Sequence, residues 1–159
     1  MTSIIQNFRQ VLLGSISISL GIIIYITFRP TWQTTWIPEI ISLDWRNFQL
    51  FTQIGNSLPS FLHVFGFSLL TAGIIVQKKW TYMIICCTWL FLNLLFEFLQ
   101  ANAINTWVNL ISINHDKYLL LHWLKNYSLN GVFDPKDIFA LIIGAILAYI
   151  VLIKTNKGG

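Results

Sequence analysis

The sequence predicts an all-α polytopic membrane protein, and three observations carry that reading. Apolar residues make up 55% of the chain and charged ones 10%, far from the roughly 25% charged residues of a soluble domain. The apolar residues gather in four runs, 11–28, 59–76, 80–98 and 138–153. Each run is close to the ~17 to 25 residues that a helix needs to cross ~30 Å of hydrocarbon. Tryptophans collect between the runs: Trp32, Trp36, Trp45, Trp107 and Trp123 are five of the seven, and amphipathic rings of this kind favour the headgroup layer. One domain over 1–159 follows, with four spanning helices and two long connections, 29–58 and 99–137.

The first run follows Arg9 and is long for the h-region of a secretory signal. It also lacks an A-x-A-like site before Pro30, so it reads as an uncleaved anchor. Gly14, Ser17 and Gly21 stand at i, i+3 and i+7, a flat stripe on which a second helix can pack closely. The second run carries Gly66 and Gly73 on the face of His63 and Leu70, and only 77–79 separates it from the third. In the third, Cys86 and Cys87 are neighbours without spaced partners and read as apolar fillers. The fourth run is slightly short unless Asp137 caps it at the interface, and Asp137, Ala140, Gly144 and Ala148 share one of its faces.

The short segments outside the runs, 1–10, 77–79 and the tail from Lys154, hold Arg9, Lys78, Lys79, Lys154 and Lys157 and no acidic residue. Lys and Arg concentrate in short loops on the cytoplasmic side. Both termini are therefore placed inside, with the long connections outside. Within the second connection, 116–127 puts Leu119, Leu120, Trp123, Leu124 and Tyr127 on one helical face against Lys117 and Lys125, the pattern of an interfacial helix or of a partner-binding one. A similar short helix is expected at 43–54, opened by Ser42 or Asp44. The net charge of +4 comes from scattered basic residues beside membrane segments, and no nucleic-acid partner follows from it.

Glu97 is the costliest residue to explain, because a carboxylate at mid-bilayer costs roughly 2.5–3.5 kcal/mol on insertion scales. It lies 17 residues after Trp80, which is ~25 Å along a ~30 Å path, so it sits near the outer boundary. His63 and Asp137 reach the same height on the second and fourth helices. Asn93, Glu97 and Gln100 fall at i, i+4 and i+7, on one face of the third helix. Small residues mark the sides where helices touch, so an outward-opening pocket lined by His63, Asn93, Glu97, Gln100, Asp134 and Asp137 is expected. The plainer alternative is that Glu97 and His63 fix helix register while Asp134 and Asp137 cap the fourth helix. No H-E-x-x-H, paired histidine spacing or activated nucleophile accompanies these residues. The expectation is accordingly no metal and no cofactor, an enzyme acting on a lipid headgroup ranks below the binding and accessory readings, and His115 and His122 in the second connection read as interfacial residues.

His63 in SFLHVFGFSLL, Glu97 and Gln100 in FEFLQ, and Asp134, Asp137 and Gly144 in FDPKDIFALIIGA together resemble the VanZ-like family of membrane proteins. The resemblance runs from Pro59 to Ala148. The chain departs from the family pattern at Pro59, Ser60, Gly131 and Leu141, where that pattern has an Asp-Lys pair, an Arg and an Asn, and it resembles a divergent member. The resemblance implies a bacterial cytoplasmic-membrane protein linked to lower susceptibility to teicoplanin-type glycopeptides and acting on lipid-linked envelope precursors. Two functions are therefore expected: an outer-leaflet pocket for a lipid headgroup or envelope precursor, or an accessory subunit docked on a larger membrane complex. Membrane lipids are partners in either case.

Overall fold

The computed structural model describes residues 7–28, 49–75, 79–101, 125, 128–129 and 133–155. Four helices carry most of them: α1 Phe8–Phe28, α2 Gln49–Ile75, α3 Lys79–Leu99 and α4 Pro135–Thr155. Each holds a stretch long and apolar enough to cross a membrane, and no strand occurs among the described residues. The chain is an all-helical integral membrane protein.

The helix ends follow local chemistry. Asn7 caps α1, its Oδ1 accepting from the Gln10 backbone N–H at 3.4 Å. Asp134 caps α4, accepting from the Lys136 N–H at 2.9 Å, with Pro135 at the first helical position, where its missing donor costs nothing. At the end of α3, Gln100 N–H reaches the Glu97 carbonyl and Ala101 N–H the Phe98 carbonyl, each at 3.0 Å. These are tight i→i−3 bonds of the kind that close a helix.

The helix α2 is longer than the apolar run within it, beginning at Gln49 and passing through Pro59. Hydropathy sees only the part that crosses lipid, and Gln49, Gln53, Asn56 and Ser57 are polar enough to hide the helical turns ahead of it. A proline at 59 reads as a helix start because it suits the first turn. Inside α2 it forfeits the backbone bond to Gly55, and the surrounding helix holds regardless. The 43–54 helix expected from sequence lies outside the described residues over 43–48 and is the start of α2 from Gln49 on. Apart from Lys125, the expected helix at 116–127 lies outside the described residues. So do Trp32, Trp36, Trp45, Trp107, Trp123, His115 and His122.

The helix α2 is the hub of the bundle. Its antiparallel neighbour α1 touches it all along: Asn7 N–H donates to the Gly73 carbonyl at 3.0 Å, Gly14 faces Gly66 and Leu70, and Gly21 faces Leu62. A Cβ on Gly14 would stand 2.7 Å from the Gly66 carbonyl oxygen and from the Leu70 nitrogen, so the two backbones approach to a distance only glycine permits. On its other side α2 runs parallel to α4, where a Cβ on Gly144 would meet the Phe61 carbonyl oxygen at 2.7 Å. Leu69, Ala72, Tyr82, Ile85, Cys86, Ala148 and Leu152 form one buried cluster of α2, α3 and α4. Val64, Leu141 and Ala145, with Trp89, Leu90 and Leu94 against them, form a second nearer the other end. By contrast α1 makes few contacts with α4.

Large apolar side chains point outward from all four helices, including Leu12, Ile16 and Ile23 of α1, Ile75 of α2, Phe91 and Leu95 of α3, and Phe139, Ile143 and Ile146 of α4. Such a surface would aggregate in water. In a bilayer it faces its proper solvent.

Candidate functional site

The carboxylates gather at the end of the bundle where α3 finishes and α4 starts. Asp137 is buried, with 5% of its surface exposed, and it heads the inward face of α4 that continues through Leu141, Gly144, Ala145, Ala148 and Leu152. Leu141 is one turn below it and belongs to the apolar cluster with Val64 and Ala145. Glu97, half-buried, is three residues beyond Leu94, which packs on that same cluster. Both carboxylates therefore stand at the edge of one apolar plug. Gln100, 7% exposed, lies one turn further on the same face of α3.

The other expected pocket residues take distinct positions. Asp134 spends one oxygen on the cap of α4, and its carbonyl accepts from Asp137 N–H at 2.9 Å. Asn93 is half-buried, and its Nδ2 donates to the Trp89 carbonyl one turn back at 2.8 Å. His63 lies beside the seam with α1: a Cβ on Gly21 would stand 4.0 Å from its Cδ2, and its ring is 5.8 Å from that of Phe67. The stripe His63, Gly66, Leu70 and Gly73 is thus the side of α2 that meets α1, while Phe61, Val64, Leu69 and Ala72 meet α3 or α4. Small residues mark where a helix is approached closely, but not which neighbour approaches.

The structure adds members that the sequence did not single out. Ser57, two turns before Val64 on the same side of α2, has a buried hydroxyl without a hydrogen-bond partner among the described residues. Ser128, 1% exposed, donates its hydroxyl to the Leu99 carbonyl, satisfying an acceptor that the end of α3 leaves open. Phe133 stacks on Phe98 at 6.2 Å. Ser128 and Phe133 therefore lie against the end of α3 that carries Glu97 and Gln100. A serine far away in sequence carries no mark of such a contact.

Trp89 holds α3 against α2 below the site. Its Nε1 donates to Thr71 Oγ1 at 3.0 Å and its ring stacks on Phe67 at 4.7 Å. The opposite end of the bundle carries a polar group of its own. Gln10 is fully buried, and its Nε2 donates to Thr155 Oγ1 at 2.9 Å and to the Leu152 carbonyl at 3.5 Å. Asn7 Nδ2 donates to the Thr155 carbonyl at 3.0 Å. These bonds fasten the start of α1 to the end of α4. Asn7 and Gln10 extend the Gly14–Ser17–Gly21 stripe at the same spacing, and continuing that stripe by two turns would have found them.

Chemically, the Glu97–Asp137 end offers two carboxylates, an amide and a hydroxyl above an apolar floor. That set can accept hydrogen bonds from hydroxyl or ammonium groups and can hold charge at a membrane boundary. Among the described residues no three His, Cys, Asp or Glu side chains come together as a metal-holding group. No protein-family model, curated protein or solved structure matches this chain.

Proposed function

We propose that the end of the bundle bearing Glu97, Gln100 and Asp137 binds the polar head of a membrane lipid or of a lipid-linked cell-envelope precursor, in the manner expected of a VanZ-like protein. One observation carries this reading: Asp137 is a buried carboxylate on a helix whose cap is already supplied by Asp134. Capping alone calls for no second acid turned inward, and an ionisable side chain kept inside a membrane bundle marks a functional position. The exposed side chains of Leu95, Phe98 and Phe139 near this end suit acyl or polyprenyl chains. The carboxylates fit the head.

The reading places this end at the outer leaflet of a bacterial cytoplasmic membrane, with both termini inside. Exposed Arg9, Lys79 and Lys154 all lie at the opposite end of the bundle, which supports that orientation. To test the function, the chain and its Glu97→Gln and Asp137→Asn variants are extracted in native-lipid nanodiscs and the lipids retained are identified by mass spectrometry. A specific lipid or precursor lost from both variants is the expected result. Identical lipid profiles from three equally folded proteins refute it.

A second reading, an accessory subunit docked on a larger membrane complex, is favoured by the outward side of α3. There Cys87 and Thr88 leave a groove of about 430 Å³ between Met83, Ile84, Phe91 and Leu92, and small residues flanked by large ones suit helix docking. Stoichiometric co-elution with a larger partner after mild-detergent extraction supports this reading; elution of the chain alone opposes it.

A further inference from the structure

We propose that the corner where α1 begins and α4 ends is a binding site for the phosphate of an anionic phospholipid, held by Arg9 and Lys154. This site lies at the opposite end of the bundle from Glu97 and Asp137 and stands independently of their function.

The polar bonds at this corner bring the helical turns that carry the two cations side by side. Asn7 Nδ2 and Gln10 Nε2 both reach Thr155, at 3.0 and 2.9 Å, and Arg9 lies between them in the first turn of α1 while Lys154 directly precedes Thr155. The buried side chains form the fastening, and Arg9 and Lys154 are the exposed residues beside it. All described acidic residues, Glu97, Asp134 and Asp137, are at the far end of the bundle. The corner therefore carries two positive charges on adjoining helices.

Local structure accounts for Lys154 but not for Arg9. A cation in the last turn of α4 complements the helix dipole, whereas Arg9 stands in the first turn of α1, where the dipole is positive and disfavours it. An anion shared between the two reverses that penalty. Depth agrees, because Trp80, 66% exposed, sets an amphipathic ring at this same end, as tryptophans do at the headgroup layer. Basic pockets between transmembrane helices are recurrent sites for anionic headgroups.

The test uses the full chain in nanodiscs of phosphatidylcholine with and without phosphatidylglycerol, reading by native mass spectrometry which lipid stays bound. Preferential retention of phosphatidylglycerol is expected, falling about fivefold for each of Arg9→Gln and Lys154→Gln. The charge-keeping pair Arg9→Lys with Lys154→Arg should restore it. Lys79→Gln, also exposed at this end but on α3, should leave it unchanged. An equal loss in Lys79→Gln means diffuse attraction to the membrane and overturns the site, as does undiminished preference in the double glutamine variant. Displacement of the lipid by inorganic phosphate alone would show that the corner reads free phosphate and would overturn the lipid assignment.

Discussion

Gln10 and Thr155 are 145 residues apart in the chain and are joined by a 2.9 Å hydrogen bond that closes one end of the bundle. The Thr155 hydroxyl also donates to the Val151 carbonyl at 2.7 Å, so it must accept from Gln10, and the orientation of the glutamine amide is settled by that chain of donors. The Gln10 Oε1 is buried without a hydrogen-bond partner among the described residues.

The two residues should consequently differ in what their loss costs. Thr155→Val leaves the buried Gln10 amide only the 3.5 Å contact with the Leu152 carbonyl, and an unsatisfied buried donor costs about 1–3 kcal/mol. Gln10→Met removes a buried amide whose oxygen has no partner among the described residues, while Thr155 keeps its bond to Val151. Its cost should stay below about 1 kcal/mol. Equilibrium unfolding of both variants in detergent checks the order, and a Gln10→Met that is the more damaging of the two would contradict this assignment of donors.

The seam between α1 and α2 makes a similar contrast. An alanine at Gly14 would drive its Cβ into backbone atoms of Gly66 and Leu70 at 2.7 Å, and backbone cannot step aside as a side chain does. Overpacking of that kind costs about 1–3 kcal/mol. At Gly21 the nearest atom is the Leu62 Cβ at 3.3 Å, and Gly21→Ala should be close to neutral because alanine's better helix propensity, about 1 kcal/mol, offsets the crowding. Equal melting temperatures for the two variants would mean that the helices are not seated as closely as described.

The four spans were legible from hydropathy because crossing a bilayer demands unbroken apolar length. So were the carboxylates at one end of α3 and α4, because helical rise converts residue number into depth. What sequence left open was direction around each helix. His63 shares a stripe with Gly66 and Gly73, yet that stripe meets α1, so neighbour identity depends on how α1 and α4 divide the surface of α2. Ser128 was illegible for another reason: its bond to Leu99 exists only because the chain returns there after a long connection. Gln10 was legible in principle. It continues the small-residue stripe of α1, but it stands before the apolar run, where hydropathy gives no mark of burial.

Trp89 offers a direct probe of the α2–α3 contact. Trp89→Phe keeps an aromatic ring against Phe67 and removes the donor to Thr71 Oγ1. Hydrogen bonds inside membrane proteins average about 0.6 kcal/mol in double-mutant cycles. A loss near that size is expected, and Thr71→Ala combined with Trp89→Phe should cost little more than either change alone. Fully additive losses would show that the 3.0 Å contact contributes no coupling.

The final prediction separates the two aspartates of α4. Asp134 caps the helix through the Lys136 N–H, so Asp134→Ala should lower stability by about 0.5–2 kcal/mol. Because its role in the fold is local, the retained lipids should stay as in the parent chain. Asp137→Asn keeps the shape of the side chain and removes the buried charge. If Asp137 binds the polar head, the variant should stay folded in detergent and should lose the specific lipid in nanodiscs. The opposite pattern, in which Asp137→Asn unfolds the bundle while Asp134→Ala strips the lipid, would make Asp137 a packing residue and move the site to the cap.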